Sequence, residues 1–199
     1  MSQSREIAAS AATWVVEHGL DYAAARRKAI EHLGLAGQRG LEAPDALQIE
    51  DAVREHLALF HAQRHASELR AMRMLAAHWM RRLDLFNPHL GGAVWRGTAT
   101  ADSPILLDLY TDDPTGPEVA LLNQNVAFET GQRDGRGREP VPLIGIHARG
   151  PGLSSVVPIE ISVWPVDGVR GALKPDARGH AWRGTLESLQ RLLDEPEFP

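Results

Sequence analysis

Hydrophobic positions divide the chain into two textures. In the first part they recur at helical spacing. Ile7, Ala11, Trp14, Val15 and His18 fall on one face of a helix predicted over about 5–18, which Gly19 stops. Asp21 then caps a second helix whose apolar face is Tyr22, Ala25, Ala29, Ile30 and Leu33, ending at Gly34, so residues 5–34 read as a helical hairpin. After a loop at 34–46, a long helix is predicted from about Gln48 to Leu83, with Val53, Leu57, Phe60, Met72, Leu75 and Trp79 in one stripe. The polar residues His61, Arg64, His65 and Glu68 interrupt that stripe, so the helix either kinks there or leaves its core for a turn or two.

Beyond residue 85 the pattern changes to short β-branched runs separated by Gly and Pro, with twelve of the thirteen prolines. Strands are predicted at about 104–110, 127–130, 141–147 and 156–163, with helices at 115–123 and 186–193. Pro158 marks its strand as an edge or places the proline at the strand's start. The Gly- and Arg-rich stretch 131–139 reads as a hairpin loop, and Arg170, Lys174 and Arg178 as an irregular basic stretch. The expected fold class is α+β: a helical N-terminal region at 1–85, a helix hairpin plus a long helix, followed by an α+β core at 86–199.

Composition narrows the chemistry. With 43% hydrophobic and 24% charged residues, the 199-residue chain has the make-up of a folded domain rather than a disordered one. A net charge of -5 argues against a nucleic-acid coat protein, which needs a strong positive field. Through Leu85 eleven basic residues balance eleven acidic ones, whereas ten face fifteen afterwards, so the acidic excess belongs to the second part. The absence of cysteine removes disulfides, thiolate metal sites and thiol nucleophiles. No signal peptide or membrane-spanning run is apparent, which predicts a cytoplasmic protein without a membrane partner. His61 and His65 have the i,i+4 spacing of a shared metal site, but without the Glu of an HExxH motif they read as surface or interface histidines. Neither a GxSxG elbow nor a GxGxxG fingerprint is present.

The segment Asn87-Pro88-His89-Leu90-Gly91-Gly92-Ala93-Val94-Trp95-Arg96-Gly97-Thr98-Ala99-Thr100, followed by Ser103-Pro104 and the apolar run Ile105 to Tyr110, resembles the opening of a nucleotidyltransferase-fold (polymerase beta-like) domain. Together with Asp21-Tyr22, Arg26-Arg27-Lys28-Ala29 and Leu33-Gly34-Leu35, it is similar to uncharacterised proteobacterial proteins that join such a helical segment to this fold. Some of these carry a UDP-N-acetylmuramate–alanine ligase label, although this chain lacks the GxxxxGK[ST] phosphate loop.

The resemblance implies a mixed sheet with flanking helices, in which strand carboxylates hold two divalent metals and a Gly-Ser turn cradles a triphosphate. Here the Gly of that turn falls on Gly92 and its Ser on Ala93. The two Asp positions of the strand fall on Pro104 and Leu106, and the third carboxylate on Glu160 within Ile159-Glu160-Ile161. Asp108 shares a face with positions 104 and 106 but lies about 7 Å beyond 106. The implied catalytic and metal-holding residues are thus Asp108 and Glu160, with Gly92, Gly97, Thr98, Thr100 and Ser103 as the nucleotide-binding set. Asp102, Asp112 and Asp113 are replacement ligands or, on their local sequence, turn and cap residues.

The expectation is a nucleotidyltransferase-like pseudoenzyme with a degenerate metal site. It would bind a nucleotide, or a protein partner through the N-terminal helices. The alternatives are an active transferase, using Mg²⁺ and an NTP to move a nucleotidyl group to a hydroxyl, and an unrelated fold.

Overall fold

A computed structural model describes residues 2–134 and 140–195. The chain divides into two compact units, 1–66 and 67–199. Helical sequence continues to residue 85, but the boundary falls earlier because residues from Met72 to Leu83 belong to the same apolar core as the strands.

The first unit starts with α1 (Gln3–His18), capped by the Ser2 hydroxyl. It ends where Gly19 adopts φ 64° and the amides of Gly19 and Leu20 close onto Val15 and Trp14 carbonyls. Asp21 accepts from the Ala24 amide at 2.8 Å to open α2 (Tyr22–His32). The third helix, α3 (Ala46–Phe60), begins two residues before the predicted start, because Asp45 and Gln48 form a reciprocal capping box. Ile7, Ala11, Ala12, Val15, Ala25, Ala29, Ile49, Val53 and Leu57 form this unit's core, with alanines at the positions where close helix packing leaves little room.

The single long helix predicted over 48–83 is two helices. His61 has φ -133° and ψ 14°, outside the helical region, and α4 (Ala62–Arg82) starts after it. Phe60, counted in the predicted stripe, is instead 69% exposed. No proline is involved. The polar run 61–68 leaves no apolar stripe to carry one straight helix through the break.

The second unit is a six-stranded mixed sheet with flanking helices. In chain order, with the last turns of α4, it contains β1 (His89–Gly91), α5 (Gly92–Arg96), β2 (Ile105–Tyr110) and α6 (Gly116–Asn123), then β3 (Glu129–Arg133), β4 (Val141–Ala148) and β5 (Val157–Trp164). A four-residue α7 (Val169–Ala172), β6 (Gly184–Thr185) and α8 (Leu186–Asp194) complete it. The strand order is β3-β4-β5-β2-β1-β6, with β2 and β5 parallel and every other pair antiparallel. Ile105, Leu107 and Leu109 of β2 and Ile159, Ile161 and Val163 of β5 point to the core face with Met72, Leu75, Met80 and Leu121. One face of this central parallel pair is thus wholly apolar, while the alternate positions of both strands carry the polar residues Asp108, Glu160 and Ser162. Pro158 is therefore not on an edge. It is the second residue of an interior strand, where the loss of one ladder donor is confined to the strand's start.

Among the described residues no helix is long and apolar enough to cross a membrane.

Candidate functional site on the polar face of the sheet

Residues two apart on a strand share a face, so the even positions of β2 and β5 form the sheet's second surface. The register pairs Leu106 with Glu160, Asp108 with Ser162, and Tyr110 with Trp164, while His89 of β1 lies opposite Asp108. Asp108 and Glu160 thus lie on adjacent strands and one face, offset by two residues. The environments differ: Asp108, His89 and Ser162 are buried, whereas Glu160 is exposed.

The Asp108 carboxylate is held on both oxygens. The Trp164 indole N–H donates to Oδ1 at 2.8 Å, and the Arg183 Nε–H donates to Oδ2. Next along the sheet, the Arg133 guanidinium donates to Ser162 Oγ at 3.2 Å. On the other side, the His89 ring stands edge-on to Tyr110 with centroids 5.1 Å apart and bonds the Asn87 carbonyl through Nδ1 at 3.0 Å. Arg133 thereby belongs to β3 and this row, not to a loop tip. The other two arginines of the predicted loop, Arg136 and Arg138, lie outside the described residues.

Arg183 reaches Asp108 because the chain before β6 is fastened from beneath. The Trp95 indole donates to the Ala181 carbonyl at 2.8 Å, and its six-membered ring lies directly on the α-carbon of Gly184. Arg96 donates to Asp176 at 2.8 Å with both side chains buried, and its guanidinium stacks 4.8 Å from the centre of the Trp182 ring. Burial raises the Asp176 pKa, but hydrogen bonds from the His180 and Arg178 amides and from Arg96 outweigh it and hold the carboxyl at about 2. Because this folded-state value lies below the unfolded one, the carboxylate's contribution to stability is complete above about pH 4 and is lost as the pH falls toward 2. In a thermal unfolding series from pH 5 to pH 2, Asp176→Asn is expected to show a shallower loss of stability than wild type. Parallel curves would refute the assignment.

The turn 97–103 is internally closed. Gly97, with φ 80°, ends α5, and its amide and that of Thr98 both donate to the Ala93 carbonyl. The Thr100 amide donates to Ser103 Oγ at 2.9 Å and the Ser103 amide to the Thr100 carbonyl at 3.0 Å. Arg73 donates to the Val94 and Trp95 carbonyls at the end of α5. Burial lowers the Arg73 pKa, with Glu195 opposing that shift. The amides of Gly97, Thr98, Thr100 and Ser103 are therefore spent within the turn and at its helix, and Thr98 is itself buried. Gly92 has φ 65°, and a β-carbon there would press on the Leu106 side chain at 2.8 Å. Leu106 covers the turn at one of the two positions where the resemblance expects Asp.

Two of the other acids serve the backbone. Asp113 Oδ1 accepts from the amides of Thr115 and Gly116 and opens α6, and Asp112 accepts from the Val166 amide at 3.4 Å. Asp102 is exposed in the turn before β2.

Asp108 and Glu160 stand out in the sequence as candidates, whereas Trp164, Arg183 and the Trp95–Gly184 and Arg96–Asp176 fastenings do not. A Trp one strand-face step beyond Ser162 was a usable signal for Trp164. Nothing local marked Arg183, which lies 75 residues from its partner. Comparison with known proteins finds no family model that matches the chain and no curated protein that matches it.

Proposed function

We propose that this is a nucleotidyltransferase-like protein that acts by binding rather than by catalysis, its cage for two divalent cations replaced by an internally neutralised carboxylate. The observation that carries this reading is the Asp108 carboxylate, with one oxygen taken by Trp164 and the other by the Arg183 guanidinium. Mg²⁺ needs carboxylate oxygens to replace part of its hydration shell. At Asp108 those oxygens already serve fixed donors, one of them cationic, and Leu106 offers none. Glu160 alone remains open to solvent. These residues do not fit a pair of magnesium ions.

The likeness to the nucleotidyltransferase fold is supported by the order of elements. A short strand, a glycine turn into a helix, an antiparallel second strand and a later parallel strand bearing Ile159-Glu160-Ile161 follow one another in a mixed sheet with flanking helices, the architecture the resemblance implies. A nucleotide is the candidate small ligand, and a protein partner engaged through the N-terminal helices the candidate macromolecular one.

The test is incubation of the purified chain with ATP, CTP, GTP or UTP and Mg²⁺ or Mn²⁺, with pyrophosphate as the readout and calorimetry for nucleotide binding. The expected result is no release above the protein-free rate. Release that Asp108→Asn or Glu160→Gln abolishes would replace this reading with an active transferase using those two carboxylates.

A further inference from the structure

We propose that Glu17, His56 and His61 form a binding site for one divalent transition-metal ion of the zinc class. The site lies within the first unit and is independent of the sheet chemistry above. Glu17 is in the last turn of α1, His56 is in the penultimate turn of α3, and His61 is the residue at which α3 breaks. One ligand atom from each lies within 4.8 Å of the others. Glu17 Oε1 is 3.2 Å from His61 Nε2 and 3.5 Å from His56 Nε2. A tetrahedral ion with ligands at about 2.0–2.1 Å separates neighbouring ligand atoms by about 3.3 Å. The Glu17 oxygen is therefore already near that spacing from each of the two nitrogens, and the nitrogens lie within 4.8 Å of each other.

The backbone explains why the three converge. On an unbroken helix, residues five apart point about 140° away from each other, so His56 and His61 would not share a ligand. At φ -133° and ψ 14°, His61 leaves the helix, and its ring comes to lie 5.9 Å from that of His56 with 29° between the planes. Phe60 packs against the His56 ring at 4.8 Å and restricts it.

Electrostatics favours a cation at the same point. Glu17 is a carboxylate at a helix C-terminus, where the exposed carbonyls already make the potential negative, and His61 caps a second C-terminus. A bound cation would neutralise both. Two imidazoles and one carboxylate leave coordination positions for water, the donor set of zinc and related ions rather than of magnesium or calcium. The site differs from the His61–His65 pair suggested by i,i+4 spacing: it keeps His61 but takes its other ligands from α1 and from earlier in α3.

The test is calorimetric titration of the chelator-stripped 199-residue chain with Zn²⁺, with Mg²⁺ as comparator and His147→Ala, in an exposed position of β4, as control. One Zn²⁺ per chain is expected. Removing an outer-shell partner of a metal ligand typically costs 10–100-fold in affinity. His56→Ala and His61→Ala should therefore weaken binding by more than about 100-fold, with His147→Ala unchanged. Co²⁺ added to wild-type protein should give the visible absorption of a nitrogen- and oxygen-ligated ion, a readout that requires no variant to fold. Absence of that spectrum, absence of stoichiometric Zn²⁺ binding, or equal loss in all three variants would overturn the site.

Discussion

Replacing Arg183 by Met should destabilise the protein by about 3 kcal/mol, because it leaves a buried carboxylate without its cation. The Asp108 side chain is 8% exposed and that of Arg183 27%, so water cannot take over the lost interaction at the acid. Trp164 would still donate to Oδ1, but Oδ2 would face an apolar thioether. The double variant Asp108→Leu/Arg183→Met should recover part of the loss, since removing both charges removes the cost of burying them but leaves the Trp164 N–H without its acceptor. Urea unfolding of the two single variants and the double would supply the coupling. A single variant within 0.5 kcal/mol of wild type, on the order expected of an exposed pair, would mean that the carboxylate is solvated. The support that neutralisation gives to a non-catalytic reading would then be lost.

A comparable loss is expected from a single methyl group at the other end of the same segment. In Gly184→Ala the new β-carbon would lie inside the van der Waals envelope of the Trp95 ring. Gly184 is buried in β6, between the segment bearing Arg183 and the N-cap of α8, so its backbone has little freedom to retreat. The ring would have to swing away and surrender its 2.8 Å hydrogen bond to Ala181. Overpacking of this kind costs typically 1–3 kcal/mol, and the lost bond about 1 more, for a total of about 3 kcal/mol. In a domain of this size the thermal midpoint moves about 2–4 °C for each kcal/mol. Trimming the ring in Trp95→Leu/Gly184→Ala should make the second substitution much less harmful than it is alone. Additive effects would show that ring and glycine do not meet.

These two expectations concern contacts that no local pattern announces. The helix ends were legible because their causes lie within a few residues: Asp21 three before the amide it accepts from, Gly19 directly after the last turn, Asp45 and Gln48 in a reciprocal box. The core strands were legible for a related reason, since apolar residues at alternate positions, such as Ile105, Leu107 and Leu109, or Ile159, Ile161 and Val163, mark one buried face. Pro158 was ambiguous. Its sequence allows an edge or a strand start, and only the pairing of β5 with both β4 and β2 selects the start. The break at His61 was half legible: the polar run marked the place, but not that His61 would come to face Glu17, 44 residues earlier.

The candidate site divides in the same way. Alternation put Asp108 and Glu160 on sheet faces, and the resemblance made them the acids to follow. Their different fates came from neighbours in space: Trp164 and Arg183, 56 and 75 residues along from Asp108, closed over one carboxylate, while Glu160 stayed in water. The resemblance placed Gly97 and Thr98 in the nucleotide-binding set, but their amides are committed to the Ala93 carbonyl because α5 ends on that turn.

The amino-acid order thus dictated the α+β class, the caps, most of the elements and the acidic charge of the second part. All of these depend on periodicity, on composition or on bonds spanning a few residues. Strand order, the side-chain partners of Asp108 and the convergence of Glu17, His56 and His61 came from the folded chain alone. Periodicity tells which face a side chain takes, whereas the distant group opposite that face is set by register and packing across the whole core.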